Sequence, residues 1–245
     1  MSDPRRDGGV VGTAMILAAG LGTRMRPLSD HRPKALIEFQ GRPLIDFALD
    51  RLRDADVGRV VVNVHYLADM LEAHVAGVSA PEILISDERT GLLDTGGGIA
   101  NALPLLGEAP FFVVNADSVW TGDSPNLARL AAHWDDRAMD CLMLIAPVAG
   151  SHGYKGAGDF LADEAGRLRR AEAGEAAPFA NTGYYLVHPR LFDAAPAGPF
   201  SINLLWDRAI AAGRLSGMEL EGTWLHIGTP EALREAEQIA HSGAV

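Results

Sequence analysis

The chain has 245 residues, 48% of them hydrophobic and 22% charged, which is ample apolar mass for a sizeable core. Its 21 basic and 32 acidic residues give a net charge of −11, arguing against nucleic acid and anionic membrane as general partners. A single cysteine, Cys141, excludes a disulfide framework and a cysteine-based zinc site, and no apolar stretch approaches the ~18 residues of a membrane span.

Residues 1–12 carry no signal-peptide apolar region and read as a disordered leader, which leaves a cytoplasmic location. Residues 13–18 form a short apolar run that reads as a buried strand entering a loop. Residues 43–55 predict a helix, with Pro43 in the first turn and Leu44, Phe47, Ala48 and Leu52 on one face. A β-branched strand at 59–64, a helix at 66–75 and a strand at 82–85 follow. A glycine run then opens a short helix at 97–103. Strands at 110–115 and 139–147 flank a helix at 126–134, and Cys141 in the second strand reads as a small buried hydrophobe. This alternation predicts an α/β, Rossmann-like, doubly wound and mostly parallel sheet.

After Pro147 glycine and alanine increase, and short strands at 158–162, 167–172 and 181–188 suggest a small antiparallel extension. Helices are expected at 201–212 and 230–239. There is no internal repeat. The economical reading is one domain over 13–245, with one half at about 13–147 and the other at about 148–245.

The most informative stretch follows the first strand: Gly20-Leu-Gly22-Thr23-Arg24-Met-Arg26-Pro27-Leu-Ser29-Asp-His-Arg32-Pro33-Lys34. Small residues let the backbone approach a ligand, and exposed N–H groups there can hold phosphate oxygens. Between Gly20 and Arg42 five basic residues (Arg24, Arg26, Arg32, Lys34, Arg42) face two acids (Asp30, Glu38). In so acidic a chain this local reversal points to a polyanion, most simply a triphosphate. The stretch is neither a Walker loop nor a G-x-G-x-x-G fingerprint.

It resembles the signature of sugar-1-phosphate nucleotidyltransferases, G-x-G-x-R-x-R-P-x-T…P-K, at Gly20, Gly22, Arg24, Arg26, Pro27, Pro33 and Lys34, with Ser29 where Thr is usual. The resemblance runs over roughly 13–240 and implies a GT-A-like nucleotidyltransferase fold with the antiparallel part on the acceptor side. It implies that Ala19, Gly20, Gly22, Thr23 and Arg24 hold a nucleoside triphosphate, and that Arg24 and Lys34 are the catalytic cations. Asn115-Ala-Asp117 closes a strand, where a carboxylate suits a ligand crevice, and resembles the family's metal motif. Asp117 is the expected Mg²⁺ ligand, since Mg²⁺ wants carboxylate, phosphate oxygens and water. Asn115 beside it is assigned to nucleotide binding.

The family's second metal motif, W-x-D-x-G-T, is matched by Trp224-Leu-His226-Ile-Gly228-Thr229, with His226 in the aspartate position. Three readings stand: His226 binds Mn²⁺ or another softer ion, His226 contacts phosphate, or His226 is structural. The last two are favoured together. Asp94-Thr95-Gly96-Gly97-Gly98 reads as a second glycine-rich loop, placed by the resemblance around base and ribose. Its wording is similar to the E-T-G-G-G-I of N-acetylmuramate-1-phosphate uridylyltransferases of peptidoglycan recycling, and Gly158-Asp159-Phe160 to their G-D-F.

On the sugar-phosphate side the candidates are Lys155, Asp159, Glu172, Asn181 and Gly183. The usual E-E-K-P acceptor signature is replaced by Arg170-Ala-Glu172-Ala-Gly174, which departs from glucose-1-phosphate specificity. The expected partners are an NTP, with UTP favoured, and a sugar 1-phosphate. The chain is expected to act as a monomer or small homo-oligomer. The expected reaction joins UTP and N-acetylmuramate α-1-phosphate into a nucleotide sugar of cell-wall metabolism. Two alternatives are a mannose- or heptose-1-phosphate guanylyltransferase and a non-catalytic nucleotide or sugar-phosphate sensor.

Overall fold

Burial alternates along the first strand: Ala14 and Ile16 face one core, Met15 the other. A strand buried on both faces needs helices on both sides, and the computed structural model, which describes residues 11–241, supplies them. The first half comprises β1 (Thr13–Leu17), β2 (Glu38–Phe39), β3 (Arg42–Pro43), α1 (Leu44–Asp54), β4 (Arg59–Val64), α2 (Ala68–Val75), β5 (Glu82–Asp87), α3 (Asp94–Leu106), β6 (Phe111–Asn115), β7 (Ser118–Trp120) and α4 (Asn126–His133). The second comprises β8 (Cys141–Pro147), β9 (Leu161–Ala162), β10 (Leu168–Arg169), β11 (Phe179–Val187), α5 (Asn203–Ala211), β12 (Leu215–Glu219), β13 (Trp224–His226) and α6 (Pro230–His241).

Seven strands form one sheet in the order β12-β8-β11-β6-β1-β4-β5. All neighbours pair in parallel except β11, which runs antiparallel to both β6 and β8. The fold class is the expected one, and the sheet draws strands from both halves of the chain. The antiparallel strand lies inside the sheet, and the further antiparallel pairs β9–β10 and β7–β13 are short. The strand expected at 167–172 shrinks to two residues. Asp163 explains one end of it: its carboxylate accepts from the amides of Ala165 and Arg167 and closes a tight turn.

Helix α1 shows how sequence sets position. Leu44, Ile45, Ala48, Leu49 and Leu52 are buried, Asp46 lies in the first turn, and Arg51 and Arg53 in the last complement the helix dipole. Cys141 is fully buried, and burial pushes its thiol well up, as suits a core residue. A third, smaller core of Met25, Ile37, Phe39, Leu44, Val119, Leu225 and Ile227 lies under the glycine-arginine loop and anchors it.

Of the leader expected over residues 1–12, positions 1–10 lie outside the described residues. Its last two positions belong to the fold: Val11 is buried, and the Gly12 carbonyl accepts from the amides of Gly58 and Arg59.

Candidate active site

Strands β1 and β6 lie side by side, and their register ends at Leu17 opposite Asn115. After β1 the chain builds β4 and β5 on one flank, then crosses to β6 on the other. In an open α/β sheet such a switch point leaves a crevice beyond the carboxyl ends of the strands. A cavity lies there, lined by Ala19, Gly20, Arg24, Lys34, Asp94, Thr95, Asn115 and Asp117 among the expected residues. Leu17, Ala18, Ala35, Asn63, Leu92 and Ala116 complete the lining.

Gly22 does not line it; it precedes the 3₁₀ turn Thr23–Met25, which carries Thr23 and projects Arg24. Met25 is fully buried and pins that turn to the third core. The Ser29 hydroxyl donates to the Gly22 carbonyl at 2.7 Å, so serine in the usual threonine position keeps the hydroxyl the loop uses. The five basic residues of the loop are not equivalent. Arg26 pairs with Asp30, Arg32 with Glu38 and Arg42 with Asp50, all near solvent. Arg24 and Lys34 are the two that reach the cavity, so the local positive charge is narrower than the sequence count implies.

Lys34 opens a second 3₁₀ turn, Lys34–Leu36, and its ammonium forms an ion pair with Asp117 just beyond β6. Burial pushes the Asp117 carboxyl up, but the charge of Lys34, joined by that of His226 once its ring is protonated at lower pH, outweighs it, and the net shift is downward. Asp117 is therefore an ionised carboxylate at neutral pH. His226 ends β13 directly opposite Ser118, and the Ile227 amide donates to the Asp117 carbonyl at 2.9 Å. Burial lowers the His226 pKa, Lys34 and Arg24 lower it further, and Asp117 opposes them; the ring is neutral at pH 7. Tyr154 and Trp224 flank the His226 ring at centroid distances of 6.4 and 5.5 Å.

The second glycine segment is not a loop: residues from Asp94 onward form α3, with the glycines in its first turns. Their smallness serves packing within the chain. A Cβ on Gly96 would meet the Phe200 ring at 2.4 Å, and one on Gly97 would meet the Gly198 carbonyl oxygen at 2.5 Å. Gly96 and Gly97 accordingly stand behind the cavity wall, while Asp94 and Thr95 face it. Asp94 adopts φ +61 and accepts from the Thr95 amide at 2.6 Å. Aspartate tolerates that left-handed conformation better than the longer glutamate of the resembling motif. The amides of Gly96 and Gly97 both donate to the Phe200 carbonyl, and the Leu93 amide donates to Glu88.

This contrast yields a test. Gly97→Ala should destabilise the fold by about 1–3 kcal/mol, because its neighbour is backbone that cannot swing aside. Gly20→Ala meets nothing within 4 Å and should leave the unfolding midpoint unchanged while weakening nucleotide binding. Urea unfolding of both variants checks the pair; equal stabilities would refute the packing role.

The residues expected on the acceptor side divide. The Asp159 carboxylate accepts from the Asn181 amide at 2.9 Å and from the Tyr154 hydroxyl at 3.4 Å. The Asn181 side chain accepts from the Gly183 amide at 3.0 Å, where the β11–β8 register shifts. Gly183 abuts the Asn115 side chain, so this group leads to the cavity wall. Lys155 and Glu172 are exposed and do not line the cavity. The Glu172 amide donates to Glu175, which pairs with Arg169. The sequence reading missed Asn63, Glu88 and Tyr154. A lone asparagine within Arg59-Val-Val-Val-Asn-Val64 was the available signal, since a polar side chain inside a buried strand needs partners.

The family model for nucleotidyl transferase matches residues 13–243. A Caulobacter vibrioides protein named N-acetylmuramate alpha-1-phosphate uridylyltransferase is 48% identical over 229 residues, covering 91% of this chain and 95% of its own length. A protein of the same name from Neisseria meningitidis serogroup B is 36% identical over 230 residues, covering 93% and 97%. The solved structure of the inositol-1-phosphate CTP transferase from T. maritima superposes with a TM-score of 0.79 at 18% identity, covering 95% of this chain and 96% of that one, and shares the fold. No helix among the described residues is long and apolar enough to cross a membrane. With its family signature folded around one crevice and matched along nearly the whole chain, the protein belongs to the nucleotidyl transferase family.

Proposed function

We propose that this protein transfers a uridylyl group from UTP to N-acetylmuramate α-1-phosphate and releases pyrophosphate. The observation that carries the reading is the convergence of Arg24, Lys34 and Asp117 on one cavity, with Asp94 and Thr95 on its other wall. The name of the Caulobacter relative, 48% identical over nearly its full length, supplies the substrate pair.

The amides at Leu93, Thr95, Gly96 and Gly97 already have partners within the chain. This favours base and ribose on the α3 side and phosphates on the Gly20–Lys34 side. A phosphate oxygen of the sugar 1-phosphate attacks the α-phosphorus in line. The bond from that phosphorus to the bridging oxygen breaks, and pyrophosphate leaves with the electron pair. The acceptor phosphate is ionised at neutral pH, so no protein nucleophile is needed. The chain's contribution is to align two polyanions and offset their repulsion through Arg24 and Lys34.

The donor set fits Mg²⁺: Asp117 is an ionised, oxygen-donating ligand with one oxygen turned to Lys34 and the other unclaimed by it. Asp117 would hold the ion together with phosphate oxygens, and Mn²⁺ is the alternative if His226 joins. When bound, the ion would supply positive charge to the phosphates. Asp159, Asn181 and Gly183 are the proposed acceptor-side group, and Lys155 and Glu172 are more distant candidates.

Pyrophosphate release from UTP and N-acetylmuramate α-1-phosphate tests the reading. Preference for GTP with mannose 1-phosphate would shift it to the guanylyltransferase alternative, and no release with any pair would favour a sensor. In the same assay His226→Asp should keep or raise Mg²⁺-dependent turnover; complete loss would show that the imidazole itself is required.

A further inference from the structure

The two walls of the cavity come from distant segments, and buried polar side chains join them. On the β1 side the amides of Ala18 and Ala19 donate to Asn63 Oδ1 at 2.7 and 3.3 Å. Asn63 Nδ2 donates to Glu88 Oε1 at 2.7 Å, and Glu88 Oε2 accepts from the Leu93 amide at 3.1 Å, beside the start of α3. Glu88 is 1% exposed and Asn63 3%, and among the described residues no cation pairs with Glu88. Gly98 lets α3 approach this pair, since a Cβ there would lie 2.8 Å from Glu88 Oε1 and 3.0 Å from Asn63 Nδ2. A carboxylate without a cation is costly to bury, and here two N–H donors, one of them at a helix N-terminus, offset that cost.

We infer that Asn63 and Glu88 are positioning residues whose hydrogen-bonded relay sets the spacing between the phosphate-side loop and the base-side helix start. The inference rests on the nucleotide reading of the cavity for what that spacing serves. Apolar packing between sheet and helix permits sliding; a chain of directed donors and acceptors does not. Each joint has one polarity. Asn63 must accept on the loop side and donate to Glu88, and Glu88 must accept at both of its oxygens. Glu88→Gln therefore places a donor against a donor at one joint. Asn63→Asp places two acceptors together.

In the double variant Asn63→Asp/Glu88→Gln the polarity is restored in reverse. The carboxylate at position 63 accepts from both loop amides and from the carboxamide at position 88. The oxygen of that carboxamide accepts from Leu93.

Two measurements decide the matter. The first is amide hydrogen exchange, resolved by NMR, on the protein without ligand. Glu88→Gln should speed exchange at Ala18 and Ala19, which Glu88 does not touch, and the double variant should restore it. The second is calorimetric titration with UTP. Each single variant should bind about tenfold more weakly, the loss expected of one unmet buried hydrogen bond, and the double variant within about threefold of wild type.

Unchanged exchange at Ala18 and Ala19 in Glu88→Gln overturns the relay. So does a double variant no better than the singles, or altered exchange with unaltered UTP affinity. If a single variant fails to fold, the double variant decides alone. Folding with near wild-type UTP affinity supports the relay, and failure to fold overturns it. If wild type itself does not bind UTP, the proposed function fails, while the ligand-free exchange still decides the coupling.

Discussion

Arg24→Ala should lower kcat by about 10²–10³ and leave the unfolding temperature at the wild-type value, the loss expected when a charge poised at the transferring group is removed. Arg24 is exposed, it has no carboxylate partner among the described residues, and its neighbour Met25 anchors the turn. The fold therefore keeps its contacts when the guanidinium goes. The cavity loses one of the two cations that reach it. Steady-state kinetics with thermal unfolding reads both sides, and near wild-type turnover would remove Arg24 from the mechanism. The other loop arginines supply a control. Arg26 and Arg32 spend their charge on exposed pairs with Asp30 and Glu38, and such pairs contribute little. Arg32→Ala should change kcat less than threefold.

Lys34→Ala should be costly twice. Turnover should fall by about 10² or more, because the compact charge proposed to meet the phosphates is lost. Stability should fall by about 2–3 kcal/mol, somewhat less than the ~3–5 kcal/mol of breaking a fully buried pair. The discount follows from exposure, since the paired side chains retain 19% and 13% of their accessible surface. The penalty arises because Asp117 is left desolvated without its main partner. Adding Asp117→Asn to Lys34→Ala should recover part of the stability and none of the turnover. A Lys34→Ala protein as stable as wild type would show that the ion pair is incidental to the fold. Recovered turnover in the double variant would separate Asp117 from the chemistry.

Much of the framework was legible from short windows. Strand β4 falls on the residues expected of it, and β1, β6, α1 and α4 differ from expectation by one or two residues at their ends. These elements announce themselves because their signal is a local period, two for a strand and 3.6 for a helix. The glycine-arginine loop was legible for the same reason: its whole motif lies within consecutive residues following one strand.

Other features depend on partners far along the chain. The glycine triplet at 96–98 looks the same in sequence whether it is a loop open to a ligand or the tightly packed start of α3. The choice rests on Gly198, Phe200 and Ile202, about a hundred residues later. The charge of the glycine-arginine loop likewise depends on where Asp50 and Asp117 fall. Asn63 and Glu88 show the limit most plainly. A lone asparagine in a valine run and a glutamate after a strand have no periodicity that would join them. Their meaning comes from hydrogen bonds spanning 45 residues from Ala18 to Asn63 and 25 from Asn63 to Glu88. Local composition sets which elements form, because backbone propensity and amphipathic period act over a few residues. Which side chains meet at the crevice is set by the strand order β6-β1-β4, because hydrogen bonds and close contacts between distant segments exist only once the sheet has brought them together.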